Sequence, residues 1–125
     1  MMESSNQNIE ALTCQLCTIL ENQYTKSKNI LNDYGVTDSM PDIGRIFLIT
    51  PGKKYYKIVM YGTYKGCVES PGGSVHAFVD KKTGSVYKPA GWAQPAKGAR
   101  YNLTSDMETL QTKANWHGGY LYRGA

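Results

Sequence analysis

Between Lys53 and Arg100 the chain sets nine basic side chains among aromatic rings. The bases are Lys53, Lys54, Lys57, Lys65, Lys81, Lys82, Lys88, Lys97 and Arg100. Tyr55, Tyr61, Tyr64, Tyr87, Trp92 and Tyr101 interleave with them. Ammonium and guanidinium groups neutralise phosphates, and flat rings accept bases by stacking. On this basis Lys54, Tyr55, Lys57, Tyr61, Lys88, Trp92, Lys97 and Arg100 are assigned to contact with DNA or RNA. The spelling matches no named nucleic-acid module: there is no RNP1 run, no GXXG in a KH setting and no zinc knuckle. Solubility is the simpler role for lysines at a hairpin tip.

Other chemistries find less support. Cys14-x-x-Cys17 lies inside a helical pattern, one turn apart on one face, and no second pair at ligand spacing completes a zinc site. A redox pair belongs at a helix start after a strand, and none precedes it. Both thiols therefore read as buried and structural. Cys67 with His76 or His117 is a conceivable nucleophile and base, and Lys65 nearby favours a thiolate, but no known signature surrounds it. The basic half holds only Glu69, Asp80, Asp106 and Glu108. Asp80 reads as a turn former and the last two as the start of a helix. Paired-carboxylate hydrolysis and clustered-acid magnesium chemistry thus lack ligands. GxxxxGK[ST], GxGxxG and HExxH are absent. No catalytic residue, metal or cofactor is assigned.

The charge is divided along the chain. Residues 1–44 carry six acids and two bases; residues 45–125 carry twelve bases and four acids. The total is +4, so the acidic part stands at −4 and the basic part at +8. A small basic region of this kind attracts polyanions. The two parts also attract each other, within one chain or between copies. At 125 residues the length is that of one domain. No run of about 18 apolar residues exists to cross a membrane. Glu3 and Glu10 without an early base do not read as a secretory signal. Three cysteines, an odd number, are expected as free thiols in a reducing compartment. Ten tyrosines against two phenylalanines suit a sheet with one wet face.

The elements that must position these groups follow from periodicity. Residues 7–34 repeat apolar side chains (Ile9, Leu12, Leu16, Ile19, Leu20, Tyr24, Ile30, Leu31, Tyr34) at helical steps. Ser4 with Gln7 fits a capping box, and Gly35 a stop. Such a helix is roughly 40 Å long. Gln23 and Ser27 interrupt its stripe, so it either breaks near Lys26 or projects and pairs with a second copy. Residues 35–44 form a linker rich in turn formers. Strands are expected over 45–50, 54–61, 74–80 and 85–88. On the second, Tyr55, Lys57, Val59 and Tyr61 share one side, and Tyr56, Ile58 and Met60 the other. Residues 70–73 form a flexible loop. Asp80 and Gly84 close a hairpin turn around Lys81-Lys82-Thr83. The prolines and glycines of 89–102 forbid a regular element, and Trp92 implies that this loop packs over the sheet. A short helix spans 104–114, capped by Thr104 or Ser105, and Tyr120–Tyr122 adds an edge strand.

The block Ser74–Ala90, the stretch from Trp92 to Asn102 with its P-A-K-G-A-R spelling, and the ending Trp116-His117-Gly118-Gly119-Tyr120-Leu121-Tyr122 resemble small uncharacterised proteins of tailed phages, marine ones included. The resemblance covers about residues 53–122 and leaves the N-terminal helix outside. It implies a viral setting, in the bacterial host cytoplasm or the virion, and carries no function with it. The expectation is an α+β protein. A long N-terminal helix and linker (1–44, acidic) precede a basic domain (45–125) with a small antiparallel sheet of roughly three or four strands, covered by an ordered loop and a short C-terminal helix. Its expected role is non-catalytic polyanion binding. The alternative is a self-associating or virion-associated structural protein that uses the 7–34 helix as its oligomer contact.

Overall fold

The computed structural model describes residues 5–33, 43–65, 67–68 and 73–122. Helix α1 (Ser5–Asp33) is followed by strands β1 (Ile43–Pro51), β2 (Tyr55–Tyr64), β3 (Cys67–Val68), β4 (Ser74–Asp80), β5 (Ser85–Tyr87) and β6 (Tyr101–Asn102). Helix α2 (Met107–Lys113) and a 3-10 turn at Gly119–Leu121 complete it. The class is the α+β one expected. The sheet is larger than three or four strands: six strands run antiparallel in the order β1-β2-β4-β5-β6, with the two-residue β3 beside β2.

Helix α1 runs unbroken for 29 residues, so there is no break at Lys26. Ile9, Thr13, Leu16, Cys17 and Leu20 are buried at three- and four-residue steps, the spacing that keeps side chains on one helical face. They meet Phe47, Ile58, Ala77, Val79 and Val86 from the sheet, and Leu103, Leu110, Ala114, Tyr120 and Leu121 from the C-terminal segment. Helix and sheet thus share one core. Gln23, polar within the stripe, is used: its Oε1 accepts the Trp116 amide at 2.9 Å, and Tyr24 meets Trp116 edge to face at 5.1 Å.

Strand β1 lies at one edge of the sheet. The Phe47 amide turns away from β2 and donates to Glu21 Oε2 at 2.9 Å, so α1 satisfies a donor that the edge leaves unpaired. Pro51 is four pairs further along and so on the same alternation, where its missing N–H removes no ladder bond.

The expected alternation holds on β2: Tyr56 and Ile58 enter the core. The register with β4 slips between Ile58 and Val59, where Ile58 faces Ala77 and Val59 faces Val75. The extra residue is His76, and the bulge delivers it to the core beside Ala77. The opposite face is also partly covered. Residues 88–100 fold back along β5 through Ala96 N to Lys88 O (2.8 Å) and Arg100 N to Val86 O (2.7 Å). This is the ordered covering loop that the sequence predicts.

Three local expectations change. The segment 120–122 is a 3-10 turn and not an edge strand, because Gly118 at φ 82° turns the chain there. Helix α2 begins at Met107 with Asp106 as N-cap, so neither Thr104 nor Ser105 caps it; the Asp106 carboxylate instead accepts the Asn102 amide at 2.8 Å. Strand β1 starts at Ile43, two residues inside the expected linker. The Ser4–Gln7 box, the Gly35 stop, the linker up to residue 42, the loop at 70–72, Glu69, and the stripe positions from Ser27 to Tyr34 lie outside the described side chains. Among the described residues, no helix is long and apolar enough to cross a membrane.

Candidate polyanion interface

Two tight turns set the lysines at one end of the sheet. The β1–β2 turn closes with Gly52 N on Tyr55 O at 2.8 Å, leaving Lys53 and Lys54 at its tip. The β4–β5 turn closes with Gly84 N on Asp80 O at 2.9 Å. Gly84 has φ 78°, a value that side-chain-bearing residues rarely adopt. The Asp80 carboxylate accepts the Lys82 amide at 2.7 Å and the Thr83 amide at 3.0 Å. It serves the turn as expected.

The pairing of β2 with β4 places Tyr55 opposite Asp80, which brings the turns side by side. The Lys81 amide bonds the Lys54 carbonyl at 3.0 Å. Lys53, Lys54, Asp80, Lys81 and Lys82 line a cleft of about 350 Å³. Asp80 is the single acid there, and it already accepts two amides. Among the described residues no lysine or arginine forms an ion pair with a carboxylate. Four lysines lining one small cleft make its surroundings positive, which favours an anion there.

Cations and rings meet on both sides of β2. Lys54 Nζ stands 5.4 Å from the Tyr55 ring centre on the outer face, and Lys81 Nζ 5.1 Å from that of Tyr56 on the core side. Tyr55 packs edge to face on Phe78 and on Tyr87, each at 5.9 Å. Lys57, two residues further and on the same side as Tyr55, donates to the Trp92 carbonyl at 3.0 Å. Its Nζ also lies 4.4 Å from the Trp92 ring centre. Trp92 remains 57% exposed.

Of the assigned residues, the fold brings Lys54, Tyr55, Lys57 and Trp92 into one band. Tyr61 lies on the same side of β2 but towards its far end, and Gly73 passes so close that a Cβ there would sit 2.6 Å from the ring. Lys88 is not in the band. It packs over Tyr122, 4.5 Å from the ring centre, next to the C-terminal segment. Lys97 is exposed on the covering loop. Arg100 is half-buried, with Nε shielded and unbonded. Lys53, Lys81 and Lys82 belong to the cleft although the sequence reading left them out of the site. Their signal was two Lys-Lys pairs, each inside a tight turn; the strand pairing that joins them is not local.

The thiols and imidazoles do other work. Burial, with Cys14 and Glu21 nearby, pushes the Cys17 thiol up to about 12, so it stays protonated and inert. Cys14 is exposed and not buried as expected, because it falls off the core-facing stripe of α1. Cys67 is exposed on β3. His76 lies in the core, its Nε2 2.7 Å from the Tyr120 hydroxyl and its ring edge to face with Phe47 at 5.2 Å. Burial, with His117 adding, lowers its pKa to about 4, and burial raises that of Tyr120. His76 is therefore neutral, and its hydrogen bond with the phenol is a structural one. Among the described residues, no three His, Cys, Asp or Glu side chains come together as metal ligands.

No curated protein and no solved structure matches the chain. The family match takes in the N-terminal helix, which the resemblance over residues 53–122 left outside: the chain belongs to DUF7717, a family of unknown function whose model matches residues 1–123.

Proposed function

We propose that this protein binds nucleic acid through its cationic sheet end, with Lys53, Lys54, Lys81 and Lys82 taking phosphates and Tyr55, Lys57 and Trp92 extending the contact. The observation that carries this is the cleft: four lysines line it, and its one acid is engaged by the turn. The resemblance to tailed-phage proteins adds a setting, production in a bacterial host cytoplasm or carriage in the virion. Self-association through α1 is the weaker reading. The outward positions of its described part include Glu10, Gln15, Thr18, Asn22 and Lys26, a polar surface that needs no partner.

The test is retention on immobilised single- and double-stranded DNA and RNA at low salt. Binding that falls steeply as salt rises supports the proposal. No retention on any of the four at low salt removes it. A light-scattering mass above one chain, unchanged by replacing the four lysines, would favour the self-association reading.

A further inference from the structure

We infer that the preferred nucleic acid is a single strand, with Trp92 as the platform for an unpaired base; this rests on the nucleic-acid reading above. The tyrosines near the cleft are already engaged. Tyr55 has Phe78, Tyr87 and the Lys54 ammonium against it. Tyr56 is buried, with Lys81 over its ring. Trp92 differs. Lys57 occupies one side of the indole at 4.4 Å and also bonds the Trp92 carbonyl, so the residue is tied at two points. No other ring packs on it among the described residues, and more than half of its surface is open.

An exposed indole that its own chain has fixed loses little freedom when a base stacks on it. The ammonium on one side adds positive charge beside the strand's phosphates. In a duplex both faces of every internal base are covered by neighbours, so this platform has no partner there. Phosphates are common to both forms. The turn lysines therefore supply affinity for either, and Trp92 supplies the choice between them.

The experiment measures affinity for an oligothymidine strand and for a duplex of the same length at one salt concentration. The variants are Trp92→Ala, Trp92→Phe and the pair Lys81→Ala with Lys82→Ala. The parent protein is expected to bind the single strand about tenfold more tightly. Trp92→Ala should erase that difference while leaving duplex affinity in place, and Trp92→Phe should restore much of it. The lysine pair should weaken both forms alike. Equal affinity for the two forms in the parent, or a Trp92→Ala protein that keeps its preference, overturns the single-strand inference and leaves nucleic-acid binding standing. Loss of binding to both forms in the parent overturns both.

Discussion

The two faces of the sheet use the same residue types to opposite ends. On the face toward α1, three polar groups have specific partners, although Arg45 Nε is shielded there without a hydrogen bond. His76 has Tyr120, Gln23 has the Trp116 amide, and Glu21 has the Phe47 amide. At the turn end, Lys53, Lys54, Lys81 and Lys82 gather without a carboxylate partner. Tyrosine follows the same division: Tyr120 is buried with its hydroxyl bonded, whereas Tyr55 spreads under a lysine at the cleft. The difference teaches that core polar groups here are placed for stability, where an unmatched one costs about 1–3 kcal/mol. The cations of the turns are under no such requirement, because water solvates them. Their position around one cleft is the observation on which the proposed polyanion binding rests.

That division can be broken at either face. The largest effect belongs to the inner one. Leu16→Ala empties a fully buried site between helix and sheet, and denaturant unfolding should show a loss of about 3 kcal/mol. A change below about 1 kcal/mol would mean that α1 does not share the core.

The second effect is a pH dependence. His76 titrates at about 4 when folded against an ordinary 6.5. Between those values the unfolded chain binds a proton that the folded one refuses. Stability from this source is complete above pH 6.5 and is lost as pH falls toward 4, by on the order of 3 kcal/mol. Denaturation curves across that range should show the loss. His76→Gln should flatten it, while itself lowering stability at neutral pH.

A smaller effect tests the strand edge. Glu21→Ala leaves the Phe47 amide without its acceptor, and about 1 kcal/mol should be lost. Amide hydrogen exchange at Phe47 should quicken. The smallest effect sharpens the contrast: replacing Lys81 and Lys82 with Ala should shift stability by no more than about 0.5 kcal/mol. A larger loss on unfolding would show that these lysines hold the fold together.

What was legible in the sequence was mostly local. The Asp80–Gly84 turn, the alternation on β2 and the helical stripe of α1 are each written in neighbouring residues. The covering loop could be read from Pro89, Pro95 and Trp92. The bulge at His76 could not, since the slip depends on how β4 meets β2. Tyr120-Leu121-Tyr122 has strand-like composition, and only the positive φ of Gly118 redirects it into a turn. The candidate site was half legible for the same reason. Lys54, Tyr55 and Lys57 sit on one strand, but the meeting of Lys53 and Lys54 with Lys81 and Lys82 is set by the pairing of Tyr55 with Asp80.

The account stands most directly on how affinity for a single strand varies with salt. Four lysines acting together should give a slope of about −3 in the logarithm of the binding constant against the logarithm of salt concentration. Each lysine replaced by alanine should reduce that slope by about 0.7. A flat salt profile, or a slope untouched by removing all four, would contradict the claim that the two turns form one polyanion site.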